Sequence, residues 1–301
     1  MSDRITYREV TARLEENGIS YGVFGLQNDI SIVIAERGGR IFGPFLSPDS
    51  EGLFWINDAF AQPDAFRAFL DSGNWNIGGD RMWIAPEIQY GVRDRSRYWD
   101  TVHTPPQVDP GHYVLDQRRP EQWHLTMDAT LEAYNLASGQ KALHLVRLIR
   151  RAEDPLRYVT GYHALIDGVR FAGYEQVVTL SESRSDEIMS EAWSLVQLNP
   201  GGVLLIPASP YVEYTDYYEP IDPSLQTIYP DHVRLKITGD RQYKVAYKAA
   251  HVFGRLAYLN CPDDDQAYLI VRNYFNNPSA SYAEEPDHSP GCRGHSIHVY
   301  N

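Results

Sequence analysis

The sequence predicts an all-β protein, a large antiparallel β-sandwich with a short N-terminal helix. Three observations carry that reading. Apolar residues alternate with polar ones in short segments along the whole chain, the period of half-buried strands. Aromatic residues make up 12% of the 301 residues, and the 19 prolines and 22 glycines are spread throughout, as frequent turns between strands require. A helical period with a clear stop signal opens the chain, and alternation takes over directly after it.

That helix is residues 5–17 (ITYREVTARLEEN), with Val10 and Leu14 on one face and Asn17-Gly18 as a stop signal. Ile19 to Leu26 then reads as a strand, and Asn28-Asp29 turns it into Ile30–Ile34. Gly38–Phe42 and Leu53–Asn57 continue the alternation. Residues 58–71 fit a short helix with Pro63 in its first turn, where its missing N–H costs nothing. Residues 98–120 contain Pro105-Pro106 and further prolines, and read as a long irregular connection. Strands follow at 123–134, 142–149, 158–166, 171–180, 190–198 and 203–207. The tyrosine- and proline-rich stretch 209–230 reads as an ordered loop, and strands at 233–237, 243–247, 252–259 and 267–275 complete the set. No repeat of fixed period and no low-complexity linker divides the chain, so one domain over 1–301, two sheets packed face to face, is the simplest architecture.

Charge and composition narrow the partners. With 27 basic and 40 acidic residues the net charge is −13, which repels nucleic-acid phosphate and anionic lipid and argues against either as partner. No stretch approaches the roughly 18 apolar residues of a membrane-spanning helix. Met1–Gly18 is charged and lacks the apolar centre of a secretory signal. Cys261 and Cys292 make neither a disulfide framework nor a CxxC zinc pair, which points to reduced thiols and a cytoplasmic protein. HExxH, GxSxG and phosphate-binding glycine motifs do not occur, so neither a metal nor a cofactor is expected. Cys292, His295 and His298 form only a weak metal-ligand spacing near the end of the chain.

The most distinctive segment is Asn76-Ile77-Gly78-Gly79-Asp80-Arg81-Met82-Trp83-Ile84-Ala85-Pro86-Glu87. Two glycines permit a backbone that other residues resist, and Arg81 follows at the head of a strand. Alternation sets Arg81, Trp83 and Ala85 on one face and Met82 and Ile84 on the other. A planar guanidinium there suits a hydroxyl or carboxylate ligand, or equally a structural Arg–carboxylate pair.

The order Glu36-Arg37-Gly38-Gly39-Arg40-Ile41, then Leu53-Phe54-Trp55-Ile56-Asn57, then Gly78-Gly79-Asp80-Arg81-Met82-Trp83 resembles the galactose mutarotase-like superfamily, which includes the aldose 1-epimerases. The Gly-Gly-Asp-Arg-x-Trp-x-Ala-Pro-Glu variant is more similar to uncharacterised bacterial members than to the established epimerases. The resemblance has motif-level specificity over the first 90 residues. It implies a β-supersandwich that holds a carbohydrate in a groove on one sheet, with Arg81 contacting the sugar.

Mutarotation opens a hemiacetal, so one group takes the anomeric proton and another protonates the ring oxygen; a carboxylate and a histidine meet that need. The epimerases place their acid His on a strand after a Pro-Leu turn. Asp154-Pro155-Leu156 through Tyr162-His163 is similar, which makes His163 the carried-over acid. A second, ligand-binding His would fall near His103. On the late strand where the epimerases carry their Glu base, this chain has Ala267 to Phe275 with Arg272. Glu175 on its strand is the candidate substitute base, and either Glu87 or Glu175 supplies the carboxylate at the sugar. Glu284 and Glu285, beside Pro286, read as a solvated pair that could alternatively enter the groove.

Trp193 and Gln197, four apart on one strand face, offer a stacking ring and an amide. Tyr211, Tyr214, Tyr217 and Tyr218 compose a sugar-binding rim or, equally, a homodimer contact. Lys244, Lys248 and Arg255 recur on successive strands and suit acidic neighbours or an acidic sugar. The expectation is therefore a carbohydrate-binding protein, either an epimerase-like isomerase using His163 and Glu175 or a non-catalytic module that kept the groove and lost the base.

Overall fold

The structure, a computed structural model, describes residues 5–263 and 266–301. Among the described residues strand predominates, in four sheets built of antiparallel pairs, as the alternation predicts. Two compact units interleave along the sequence: Met1–Ile84, His103–Ile188 and Ala192–Leu198 make the first, and Ala85–Val102, Met189–Glu191 and Asn199–Asn301 the second.

The first unit opens with helix α1 (Tyr7–Glu16). Thr6 caps it: its Oγ1 accepts from the Glu9 N–H while Glu9 Oε2 accepts from the Thr6 N–H at 2.7 Å, a reciprocal capping box. Strands β1 (Tyr21–Gly25), β2 (Ser31–Ala35), β3 (Ile41–Phe45) and β4 (Asp80–Ala85) follow, with α2 (Pro63–Asp71) before β4; Pro63 stands in the first turn of α2. β5 (Val114–Arg119), β6 (Gln122–Ala133), β7 (Gly139–Arg151) and β8 (Tyr174–Glu182) form a second sheet in sequence order. β9 (Glu191–Val196) returns to the first sheet, whose order is β1-β2-β3-β4-β9. Val10 and Leu14 of α1 and Phe66 of α2 bury their side chains in one cluster with Val33, Phe42 and Phe45. Each large apolar side chain sealed this way contributes about 1.5–3 kcal/mol of transfer free energy.

In the second unit, β10 (Val203–Pro207), β11 (Tyr214–Asp216), β12 (Gln226–Ile228), β13 (His232–Lys236), β14 (Lys244–Lys248), β15 (Arg255–Asp263), β16 (Gln266–Asn273) and β17 (His295–Tyr300) form two sheets, ordered β12-β13-β10-β15-β16 and β11-β14-β17. The short helices α3 (Glu87–Tyr90) and α4 (Tyr98–Thr101) belong to this unit. Among the described residues no helix is long and apolar enough to cross a membrane.

Three local expectations need correction. Residues 158–166 are turns and a short helix, α5 (Tyr162–Leu165), not a strand. Gly161 adopts φ +78°, and the Asp154 carboxylate accepts from the Leu156 N–H at 2.8 Å and the Tyr162 hydroxyl at 2.7 Å, which folds the segment back on itself. Residues 53–57 make only isolated bridges, Phe54 to Leu198 and Ile56 to Gly78. Their alternation reflects the burial of Phe54 and Ile56 rather than a continuous ladder. The stretch 98–120 holds α4 and β5; β5 is a polar strand at a sheet edge, with Asp116, Gln117, Arg118 and Arg119 exposed, so no apolar period announces it.

Candidate functional site

In the first unit the Gly78-Gly79 turn delivers Arg81 to the centre of a polar–aromatic cluster. Both glycines have positive φ, +94° and +79°. A Cβ on Gly79 would lie 2.5 Å from the Ile41 carbonyl oxygen, so backbone packs where any other side chain would have to go. Two residues on, Arg81 Nη1 donates to Gln197 Oε1 at 2.7 Å, and its Nε lies 3.6 Å from Asp109 Oδ2. The guanidinium carbon sits 4.9 Å from the ring centroid of Trp83 and 5.2 Å from that of Trp75, within cation–π range.

Beneath this layer lies a buried ion pair. Asp109 Oδ2 accepts from Arg40 Nη2 at 2.6 Å and from Trp83 Nε1 at 2.9 Å. Burial pushes the Arg40 guanidinium below the ordinary arginine range, opposed by the adjacent Asp109. Trp75 packs on Trp83 at 5.2 Å between centroids, and Trp83 meets Trp193 edge-on at 6.4 Å. All three residues are half-buried. The arrangement offers apolar ring surface beside a carboxamide and a guanidinium, a combination suited to a ligand with one C–H face and several hydroxyls.

The second unit holds a different cluster. Lys244, in the middle strand of β11-β14-β17, is 1% exposed. Its Nζ donates to Glu284 Oε1 at 2.7 Å and Glu87 Oε2 at 2.8 Å, and lies 4.5 Å and 4.8 Å from the ring centroids of Tyr217 and Tyr300. Burial works against the Lys244 charge, but Glu284 and Glu87 outweigh it and hold the ammonium well above the usual lysine range. Burial raises the Glu284 carboxyl above the ordinary range, against the pull of Lys244. Glu284 Oε2 also accepts the Glu87 N–H at 2.5 Å. Tyr98 and Tyr300 donate to Glu87 Oε2 at 3.4 and 3.5 Å. Burial and then the Glu87 charge push the Tyr98 and Tyr300 hydroxyls well up.

The structure therefore gathers Arg81, Trp83 and Trp193, with Gln197, in the first unit. Glu87 belongs to the lysine cluster of the second. His163 is exposed on α5, its ring 5.6 Å from that of Tyr162. Glu175 on β8 is half-buried and ion-paired with the exposed Arg150. His103 is half-buried with its ring 6.1 Å from Tyr134. Arg272 is half-buried on β16, opposite Leu256. Glu284 and Glu285 are sealed rather than solvated, Glu284 by Lys244 and Glu285 by Arg95 and Arg293. The tyrosine loop divides: Tyr211 is 83% exposed, while Tyr217 is buried against Lys244. Cys292 and His295 both approach the Thr215 hydroxyl, and among the described residues no group of His, Cys, Asp or Glu is arranged to hold a metal ion.

Sequence reasoning missed Trp75, Arg40 and Asp109. Trp75 stands directly before the Asn76–Glu87 segment, and its position there is the one signal that could have found it. No family model, curated protein or solved structure matches the chain.

Proposed function

We propose that the chain is a non-catalytic carbohydrate-binding protein of galactose mutarotase-like supersandwich architecture, working in the cytoplasm on a saccharide held against Trp75, Trp83 and Trp193. The observation that carries this reading is the contiguous row of three half-buried indoles, with the Arg81–Gln197 pair beside them. The C–H face of a pyranose packs on indole, and ring hydroxyls hydrogen-bond to a carboxamide and a guanidinium edge. Two unbridged cysteines support the reducing compartment.

Binding without epimerisation is favoured by the environment of the two expected acid–base groups. His163 stands exposed, and the half-buried Glu175 is engaged by Arg150. Neither is sealed from water, and the Glu175 carboxylate is already held by a cation.

Isothermal titration with neutral and acidic monosaccharides tests the reading, with Trp83→Ala as control. Binding is expected in the native chain and lost in the variant. Anomer-exchange NMR on the same samples should show no acceleration. Exchange catalysed by the native chain and abolished by His163→Ala would restore the epimerase assignment, and absence of saccharide binding would end the carbohydrate reading.

A further inference from the structure

The lysine cluster of the second unit carries an inference that goes beyond the saccharide reading and does not depend on it. A narrow recess is lined by Glu87, Tyr98, Tyr218, Glu284 and Asp287, with Lys244 in its wall. Its cavity volume is about 10 Å³, room for roughly one water-sized group. Tyr98 and Tyr218 line it, and Trp99 packs against both, 5.1 Å from Tyr98 and 4.9 Å from Tyr218, centroid to centroid. Trp99 itself is 61% exposed.

The charges around the recess do not balance. Both oxygens of Glu284 accept, one from the Lys244 ammonium and one from the Glu87 N–H, which is the pattern of an ionised carboxylate. Glu87 shares that single ammonium. Glu285 is paired with both Arg95 and Arg293, Arg95 also donates to the Asp287 carbonyl oxygen at 2.6 Å, and the Asp287 carboxylate lies 3.2 Å from His288, so four carboxylates meet three permanent cations. Carboxylate charge is therefore in excess. Glu87 Oε2 is met by three donors, Lys244, Tyr98 and Tyr300, so Oε1 is the oxygen left to receive a ligand. A carboxylate oxygen accepts and cannot donate, so its ligand must bring a proton.

We propose that this recess binds the primary ammonium group of a small organic amine, with Glu87 Oε1 as the anionic acceptor, Tyr98 and Tyr218 as the aromatic rim, and Trp99 packed against both rings as the reporter. Excess negative charge selects a cation over a neutral hydroxyl, and ring faces add cation–π attraction. A primary ammonium brings the N–H that Glu87 Oε1 accepts, which a tetraalkylated one lacks.

The test is an NMR titration of the whole chain at constant ionic strength, following the Trp99 indole N–H. n-Propylammonium chloride should give a saturable shift. Neither 1-propanol nor tetramethylammonium chloride should reproduce it at equal concentration. Glu87→Gln, which keeps the shape and removes the charge, should weaken the response by roughly tenfold or more. Equal responses to propanol or to tetramethylammonium, or no saturable response to propylammonium, would overturn the proposal. The three-ligand comparison uses only the native chain, so it stands even where the variant is unstable.

Discussion

Arg40 and Asp109 form an ion pair of 2.6 Å sealed almost completely from water, and the indole face is built on top of it. Asp109 Oδ2 also accepts from Trp83, so one carboxylate fixes both the hidden cation and the orientation of the central ring. Asp109→Asn keeps the shape and removes the charge. It should cost about 3–5 kcal/mol in urea unfolding, because Arg40 is left as a buried cation without a counter-ion. Saccharide affinity should fall with it, since the Trp83 indole loses its charged acceptor. A loss below about 1 kcal/mol would mean that solvent reaches Arg40.

Lys244→Met should also be strongly destabilising at neutral pH, by about 3–5 kcal/mol, because the buried Glu284 loses the ammonium it is paired with. The effect should depend on pH in a defined direction. The folded Glu284 carboxyl already lies above its ordinary value through burial, and removing Lys244 raises it further. A group raised in the folded state favours folding while protonated and opposes it once pH rises through the folded value. The deficit of the variant should therefore shrink as pH falls toward about 4, the unfolded glutamate value. Chemical denaturation of both proteins at several pH values measures this.

Opposite behaviour is expected at His295. Burial pushes its imidazole down to about 4, the Thr215 hydroxyl lies 3.0 Å from Nε2, and Nδ1 has no hydrogen-bond partner among the described residues. The unfolded chain takes up the proton near pH 6.5 while the folded chain resists it, so stability falls between about pH 6.5 and 4. This residue should account for roughly 2–3 kcal/mol of that fall. His295→Phe should flatten the curve by that amount in parallel unfolding series, whereas superimposable pH profiles would contradict the assignment.

Gly79→Ala should destabilise the first unit by about 2–4 kcal/mol. The φ of +79° disfavours a side chain, and the added Cβ meets the Ile41 carbonyl oxygen at 2.5 Å, a backbone atom that cannot rotate away. Gly73→Ala, also at positive φ but with nothing within 4 Å of the new Cβ, should cost clearly less in the same melts.

The elements legible in the sequence are those whose physics is local. α1 announces itself through Thr6, Glu9 and the Val10–Leu14 face, and the turn before β4 through two glycines that no other residue could replace. Strand alternation set Arg81 and Trp83 on one face, and the structure finds them together. What stayed hidden depends on distance in sequence. Lys244 meets Glu87 across 157 positions and Arg40 meets Asp109 across 69, and no spacing rule reaches that far. The pattern that made 158–166 read as a strand gave no weight to Gly161, whose left-handed backbone turns the chain. Glu284 and Glu285 look like solvated charges until their cations arrive from other strands and loops.

The most direct test of the proposal that the indole face binds a saccharide is a two-dimensional NMR spectrum of the six indole N–H groups, assigned by single Trp→Phe substitutions and followed during titration with a monosaccharide panel. The resonances of Trp75, Trp83 and Trp193 should shift together and saturate at a common midpoint, while Trp55 and Trp123 stay still. No movement with any sugar, or movement confined to indoles outside that trio, would contradict the account.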